Sequence, residues 1–175
     1  MSKYTKISLL ALGVFLAAVL FLPSFRQLLT RLTTTSETII VPADSANADN
    51  GAAGAGQELE VVTLLGFDGI PAILEPAFVP ASAAEAWMEP DEPVLGLSIE
   101  GEHRAYSVRM LSSHEIVNDV VGDVPVAVTW WPLCFSAIVY GREINGLEHT
   151  FGVSGKLIMN ALVMYDHQTR TLWSQ

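Results

Sequence analysis

One cysteine in 175 residues, Cys134, excludes a disulfide within the chain. It equally excludes every metal site built on two cysteines of one polypeptide. Basic residues are scarce: nine Lys and Arg stand against 19 Asp and Glu, for a net charge of −10. From Glu58 onward only Arg104, Arg109, Arg142, Lys156 and Arg170 oppose 16 acids. Such a surface repels phosphate backbones, so nucleic acid is not an expected partner. There is no P-loop, dinucleotide fingerprint, nucleophile elbow or zinc-protease motif, which removes the corresponding enzyme classes.

One long apolar run is present. Residues Ile7–Leu22 (ISLLALGVFLAAVLFL) carry no charge, Lys3 and Lys6 precede them, and Arg26 and Arg31 follow. Extended to Phe25, the run is just long enough to span a bilayer as a helix. No small-x-small site lies close behind it, since Ala46-Asn47-Ala48 is too distant for signal cleavage. The expectation is an uncleaved transmembrane signal-anchor over 7–25, with residues 1–6 in the cytoplasm and the rest outside. A buried core helix is the alternative. Residues 26–57 follow, and 33–57 are so rich in Ala, Gly, Thr, Ser and Asn that they read as a flexible tether. A folded domain is expected over 58–175.

That domain reads as mainly β, an antiparallel α+β fold with one or two short helices. Leu59–Leu65 is apolar and β-branched and stops at Gly66-Phe67-Asp68-Gly69. Pro93–Glu100 and His103–Val108 flank Gly101 as a hairpin. Val124–Trp131 alternates with one strongly apolar face. Asn145-Gly146 between two short β-like segments is a strong hairpin signal. Leu162–Tyr165 and Thr171–Ser174 bracket a turn whose backbone Asp166 and Thr169 can satisfy. Ser82 and Glu85 have capping-box spacing for a helix over 82–88.

Polar groups inside apolar frames are the candidate functional residues. In Ser112–Asp119, Ser113 would cap a short helix that starts at His114, placing His114, Val117 and Asn118 on one face. A capped turn with His and Asn on nearby backbone is the plainer reading of those spacings. Cys134, between Trp130-Trp131 and Phe135, reads as an inert core thiol. A reactive thiol would need a positive neighbour, and no Lys or Arg lies within seven residues. His103 and His149 lack metal-ligand spacing and read as surface residues.

Taken in order, the words His114-Glu115-Ile116-Val117-Asn118-Asp119, Pro132-Leu133-Cys134, Phe151-Gly152-Val153-Ser154-Gly155, Leu162-Val163-Met164-Tyr165-Asp166 and Leu172-Trp173-Ser174-Gln175 resemble a prokaryotic family called domain of unknown function 3179. The resemblance runs from about Asp68 to the last residue and implies kinship without a mechanism. Where the family carries Cys-Pro-Leu-Cys, this chain has Trp131-Pro132-Leu133-Cys134, so a family dithiol or two-cysteine metal site is not available. Family domains also continue past the Trp-Ser-Gln word, so the chain resembles the front part of one.

Three readings follow. In the first, a membrane-anchored domain outside the cytoplasm binds a small ligand or a metal through His114 and Cys134, with Glu115, Asn118 and Asp166 around the ligand. Soft thiolate and imidazole together suit copper(I) or zinc. In the second, the protein is a degenerate or structural member without chemistry. In the third, Cys134 is the nucleophile of a thiol enzyme and His114 its base. No cofactor or protein partner is indicated.

Overall fold

The computed structural model describes residues 34–41 and 57–175, with short helical pieces at 4–5, 8–10 and 12–15. Most of the expected anchor (7–25) and residues 26–33 and 42–56 of the expected tether lie outside the described residues. Among the described residues no helix is long and apolar enough to cross a membrane.

The fold is β-rich, with antiparallel sheets and two short helices beyond residue 34. Strands β1 (Thr35–Val41), β2 (Gln57–Thr63), β10 (Phe151–Ile158), β11 (Ala161–Asp166) and β12 (Leu172–Ser174) form a five-stranded sheet in the order β1-β2-β10-β11-β12. A three-stranded sheet contains β5 (Ile116–Val121), β6 (Val124–Trp131) and β7 (Ser136–Gly141). Strands β3 (Val94–Ile99) and β4 (Glu102–Ser107) make one hairpin, and β8 (Glu143–Ile144) and β9 (Leu147–Glu148) another. The helices are α1 (Ala81–Ala84) and α2 (Val108–His114).

The three-stranded sheet is the middle layer, and β6 explains why. Val126, Val128 and Trp130 pack with Tyr106, Val108, Leu111, Val117 and Val121 on the side of the β3–β4 hairpin and α2. Ala127 and Trp131 pack with Ile116, Phe151, Val153, Leu162 and Met164 on the side of the large sheet. Successive side chains of a strand point to opposite faces, so a strand apolar at both parities must be covered twice. The alternation expected for Val124–Trp131 therefore resolves into burial of both faces, with Thr129 between them fully buried on the Ile138 carbonyl.

Asn118 joins the layers. Its carboxamide Nδ2 donates to the Phe151 carbonyl at 2.8 Å, and its Oδ1 accepts from the Phe151 amide at 2.7 Å. The side chain thus meets both backbone groups of a residue on the other sheet. Within the large sheet, Gly155 sits at a register shift in β10 with φ +71 and receives the loop that leaves β2. A Cβ there would lie 2.3 Å from the Leu65 carbonyl oxygen, while Leu64 and Leu65 both donate to the Gly155 carbonyl. Only glycine permits that approach.

Four local expectations are corrected. Thr35–Val41, assigned to the tether, is a strand paired with β2 along its whole length. Its Thr, Ile and Val content favours an extended chain, and averaging it with the Ala/Gly/Asn stretch behind it concealed this. The helix expected over 82–88 is a single turn starting after Pro80, with no side-chain cap. Ser82 stands inside that turn rather than before it. The helix expected to start at His114 instead ends there. Ser107 is its cap, accepting from the Met110 amide at 3.3 Å, and Glu115 closes it with φ +60. Ile116, Val117, Val120 and Val121 are β-branched and pair with β6 instead, so His114 and Asn118 share no helical face. Finally, His149 is buried rather than on the surface.

Replacing Asn118 by Ala leaves the amide and carbonyl of Phe151 buried without partners. Urea unfolding should show a loss of about 2–4 kcal/mol. An unchanged midpoint would contradict the bridging role.

Candidate functional site

Residues 71–93 contain five prolines and one helical turn, and they cross the middle layer as a strap. The Ile73 amide donates to the Ile116 carbonyl at 2.9 Å, and the Asn118 amide to the Ile73 carbonyl at 2.8 Å. Between this strap, the β3–β4 hairpin and α2 runs an open groove of about 1530 Å³. Phe78, Val79, Trp87 and Met88 line it from the strap, and Tyr106 and Met110 from the body. Trp87 is 62% exposed, an unusual position for so large an apolar ring.

The groove's inner wall is rigid. Tyr106 is buried and donates to Asp119 Oδ2 at 2.7 Å. Burial and that hydrogen bond push its phenol well above the usual range. Phe78 meets Tyr106 edge-on at 5.6 Å, and the Arg104 guanidinium stands 4.7 Å over the Phe78 ring. Arg142, itself buried, donates to the carbonyls of Val126, His149 and Asp119, which fixes the strand carrying Asp119.

His114 lines the groove, half-buried. Its Nδ1 lies 2.8 Å from the Pro71 carbonyl oxygen. A carbonyl only accepts, so Nδ1 carries the proton and Nε2 keeps its lone pair in the neutral ring. Glu115 is 4% exposed, and its carboxyl makes no hydrogen bond or ion pair with any described residue. Burial alone pushes its pKa up to about 7.

The other expected site residues are occupied elsewhere. Asn118 is spent on Ile73 and Phe151, as described. Asp166 is fully buried and accepts from Thr169, Thr171, Trp173 and His149. Neither keeps a group for a ligand.

Cys134 is exposed, and the expectation of an inert core thiol is corrected. Strands β6 and β7 pair as far as Trp131 with Ser136, so residues 132–135 form a turn that projects from the sheet. The aromatic neighbours suggested burial, but Trp130 and Trp131 point into the two cores, whereas Leu133 and Phe135 are 75% and 72% exposed. Cys134 does not line the groove, and no hydrogen bond joins it to His114. Among the described residues no group of three or more His, Cys, Asp or Glu side chains is placed to hold a metal.

Comparison with known proteins agrees with the sequence words. Residues 67–175 match the model of a family described as Protein of unknown function (DUF3179). The chain belongs to that family. No curated protein and no solved structure gives a match. Within this family member, Asn118, Asp119, Gly155 and Asp166 hold the scaffold, while His114 lines the groove and Glu115, next in the same word, is buried. The groove's Phe78, Trp87 and Tyr106 were missed in the sequence, since nothing in their spacing separates an exposed aromatic from a buried one.

Glu115 has a pH signature of its own. Its folded pKa of about 7 lies above the ordinary glutamate value of 4.5, so the folded state holds the proton more tightly. Its contribution to stability is therefore greatest below about pH 4.5 and declines as the pH rises towards 7. Denaturation of wild type and Glu115→Gln across that window should show the decline in wild type only. Parallel profiles would contradict the raised pKa.

Proposed function

We propose that this protein is a membrane-anchored module outside the cytoplasm, which binds a small and largely apolar ligand in the groove. The ligand's body lies on Phe78, Trp87 and Met88, and a polar group of it reaches His114 Nε2. The observation that carries the reading is the His114–Pro71 hydrogen bond, which fixes the imidazole tautomer in the lining of an open apolar groove. Pockets of small ligands pair apolar lining with a few positioned polar groups in this way. The apolar run over 7–25 between lysines and arginines supports the anchor.

A ligand is favoured over a metal because the thiol that was to complete a His114–Cys134 pair sits outside the groove. The same fact weakens the thiol-enzyme reading. A second reading, a family member without chemistry, has one observation in its favour: Asn118, Asp119 and Asp166 are consumed by the scaffold.

Titration of the full chain in nonionic detergent, corrected by a protein-free detergent blank, with the amphiphilic fluorophore 1-anilinonaphthalene-8-sulfonate tests the proposal. Saturable binding is expected, weakened about tenfold or more by Trp87→Ala through loss of aromatic contact and unchanged by Cys134→Ala. Absence of saturable binding would favour the second reading, and loss on removing Cys134 would return the thiol to the site.

A further inference from the structure

A second cluster lies away from the groove, where the loop after β2 meets the turn after β11. Tyr165 is 1% exposed, and its hydroxyl donates to Asp68 Oδ2 at 2.5 Å. The Asp68 backbone is held with φ +56 by its amide on the Val153 carbonyl. His167 stands edge-on to the Tyr165 ring at 5.0 Å, with Nδ1 2.9 Å from Thr150 Oγ1. The Arg170 guanidinium lies 4.3 Å from the centre of Phe67 and 5.1 Å from that of Tyr165.

Gly152 makes this convergence possible. A Cβ at that position would come within 2.7 Å of Asp68 Oδ1 and 2.9 Å of His167 Nε2. Both atoms therefore lie beside the bare Gly152 position. Among the described residues, Asp68 Oδ1, His167 Nε2 and the Arg170 guanidinium have no hydrogen-bond or ion-pair partner. An acid, an imidazole and a guanidinium are thus gathered round one buried phenol, Asp68 and Arg170 open to solvent and His167 half-buried, with Leu64, Leu65 and Phe67 exposed beside them.

We propose that this cluster is a binding site for a small zwitterion, an α-amino acid with an apolar side chain. The ligand ammonium would donate to Asp68 Oδ1, its carboxylate would accept from Arg170, and its side chain would lie on Leu65 and Phe67. Charge selects this class. A bare cation meets the Arg170 charge, a bare anion meets Asp68 on a chain of net charge −10, and a molecule carrying both ends satisfies both. Stacking on two rings holds the guanidinium in place, which lowers the entropic cost of binding.

The test follows the Gly152 amide and the His167 ring by NMR in the full chain, in nonionic detergent. The probes are L-leucine, 4-methylpentanoate (which lacks the ammonium) and isoamylamine (which lacks the carboxylate). L-leucine should give saturable shifts with a dissociation constant on the order of 1 mM. Each half-molecule should bind about tenfold more weakly or worse, and Asp68→Asn and Arg170→Gln should each weaken L-leucine by about tenfold. Arg170 is exposed on a turn, so its variant carries the test even where loss of Asp68 unfolds the loop. Absence of saturable shifts, equal binding of either half-molecule, or an unchanged affinity in the Arg170 variant overturns the proposal.

Discussion

A fully buried carboxylate, Asp166, is the constraint on which the end of the chain depends. Burial opposes its charge, yet hydrogen bonds from the Thr169 hydroxyl, the Trp173 indole, the Thr169 amide and His149 outweigh that cost and hold its pKa well below the usual carboxylate range. An ionised group can stay inside a protein only when its lone pairs are met in this way. What meets them is the local fold itself. Thr169 and Thr171 shape the turn after β11, Trp173 brings β12 back against it, and His149 enters from the segment before β10. Trp173 then packs edge-on to Phe151 at 6.0 Å, and Gln175 reaches Thr129 on β6 at 2.8 Å. One carboxylate so ties the large sheet to the middle layer.

Much of the family's vocabulary serves this kind of internal satisfaction. Asn118 completes the backbone of Phe151, and Ser154 donates to the Val163 carbonyl and accepts from the Lys156 amide; outside those words, Arg142 occupies the carbonyls of Val126, His149 and Asp119. A middle layer covered on both faces has no water to offer its polar groups, so each needs a protein partner. Side-chain atoms without a partner in the scaffold lie instead at the margins, where His114 Nε2 lines the groove and where Gly152 leaves room for Asp68 and His167.

The legible parts of the fold were those fixed by local chemistry. The Asn145-Gly146 turn takes positive φ at both residues, 54° and 75°, as that dipeptide favours. Strand β6 has the bounds that its alternation indicates, and Asp166 and Thr169 satisfy their turn. The errors came where tertiary partners decide. His114-Glu115-Ile116-Val117 reads equally as a helix start or a helix end until β6 offers Ile116 a neighbour. Cys134 looks buried because its neighbours are aromatic, although the turn that carries it turns outward. For the site, His114 and Glu115 were legible as a polar pair in a family word. The groove was not, because it is made by a strap of little regular structure folding over a distant hairpin.

The scaffolding role given to Asp166 is the claim that separates this account from one in which the family's acidic word binds a ligand. The urea-unfolding midpoint of Asp166→Asn at neutral pH tests it most directly. The depressed pKa means that ionised Asp166 stabilises the fold above its ordinary range near 3.8, a contribution lost only as acid reaches the folded-state value. The account predicts a loss of about 3 kcal/mol at pH 7. A midpoint equal to that of the wild type would contradict it and return Asp166 to the list of ligand-binding groups.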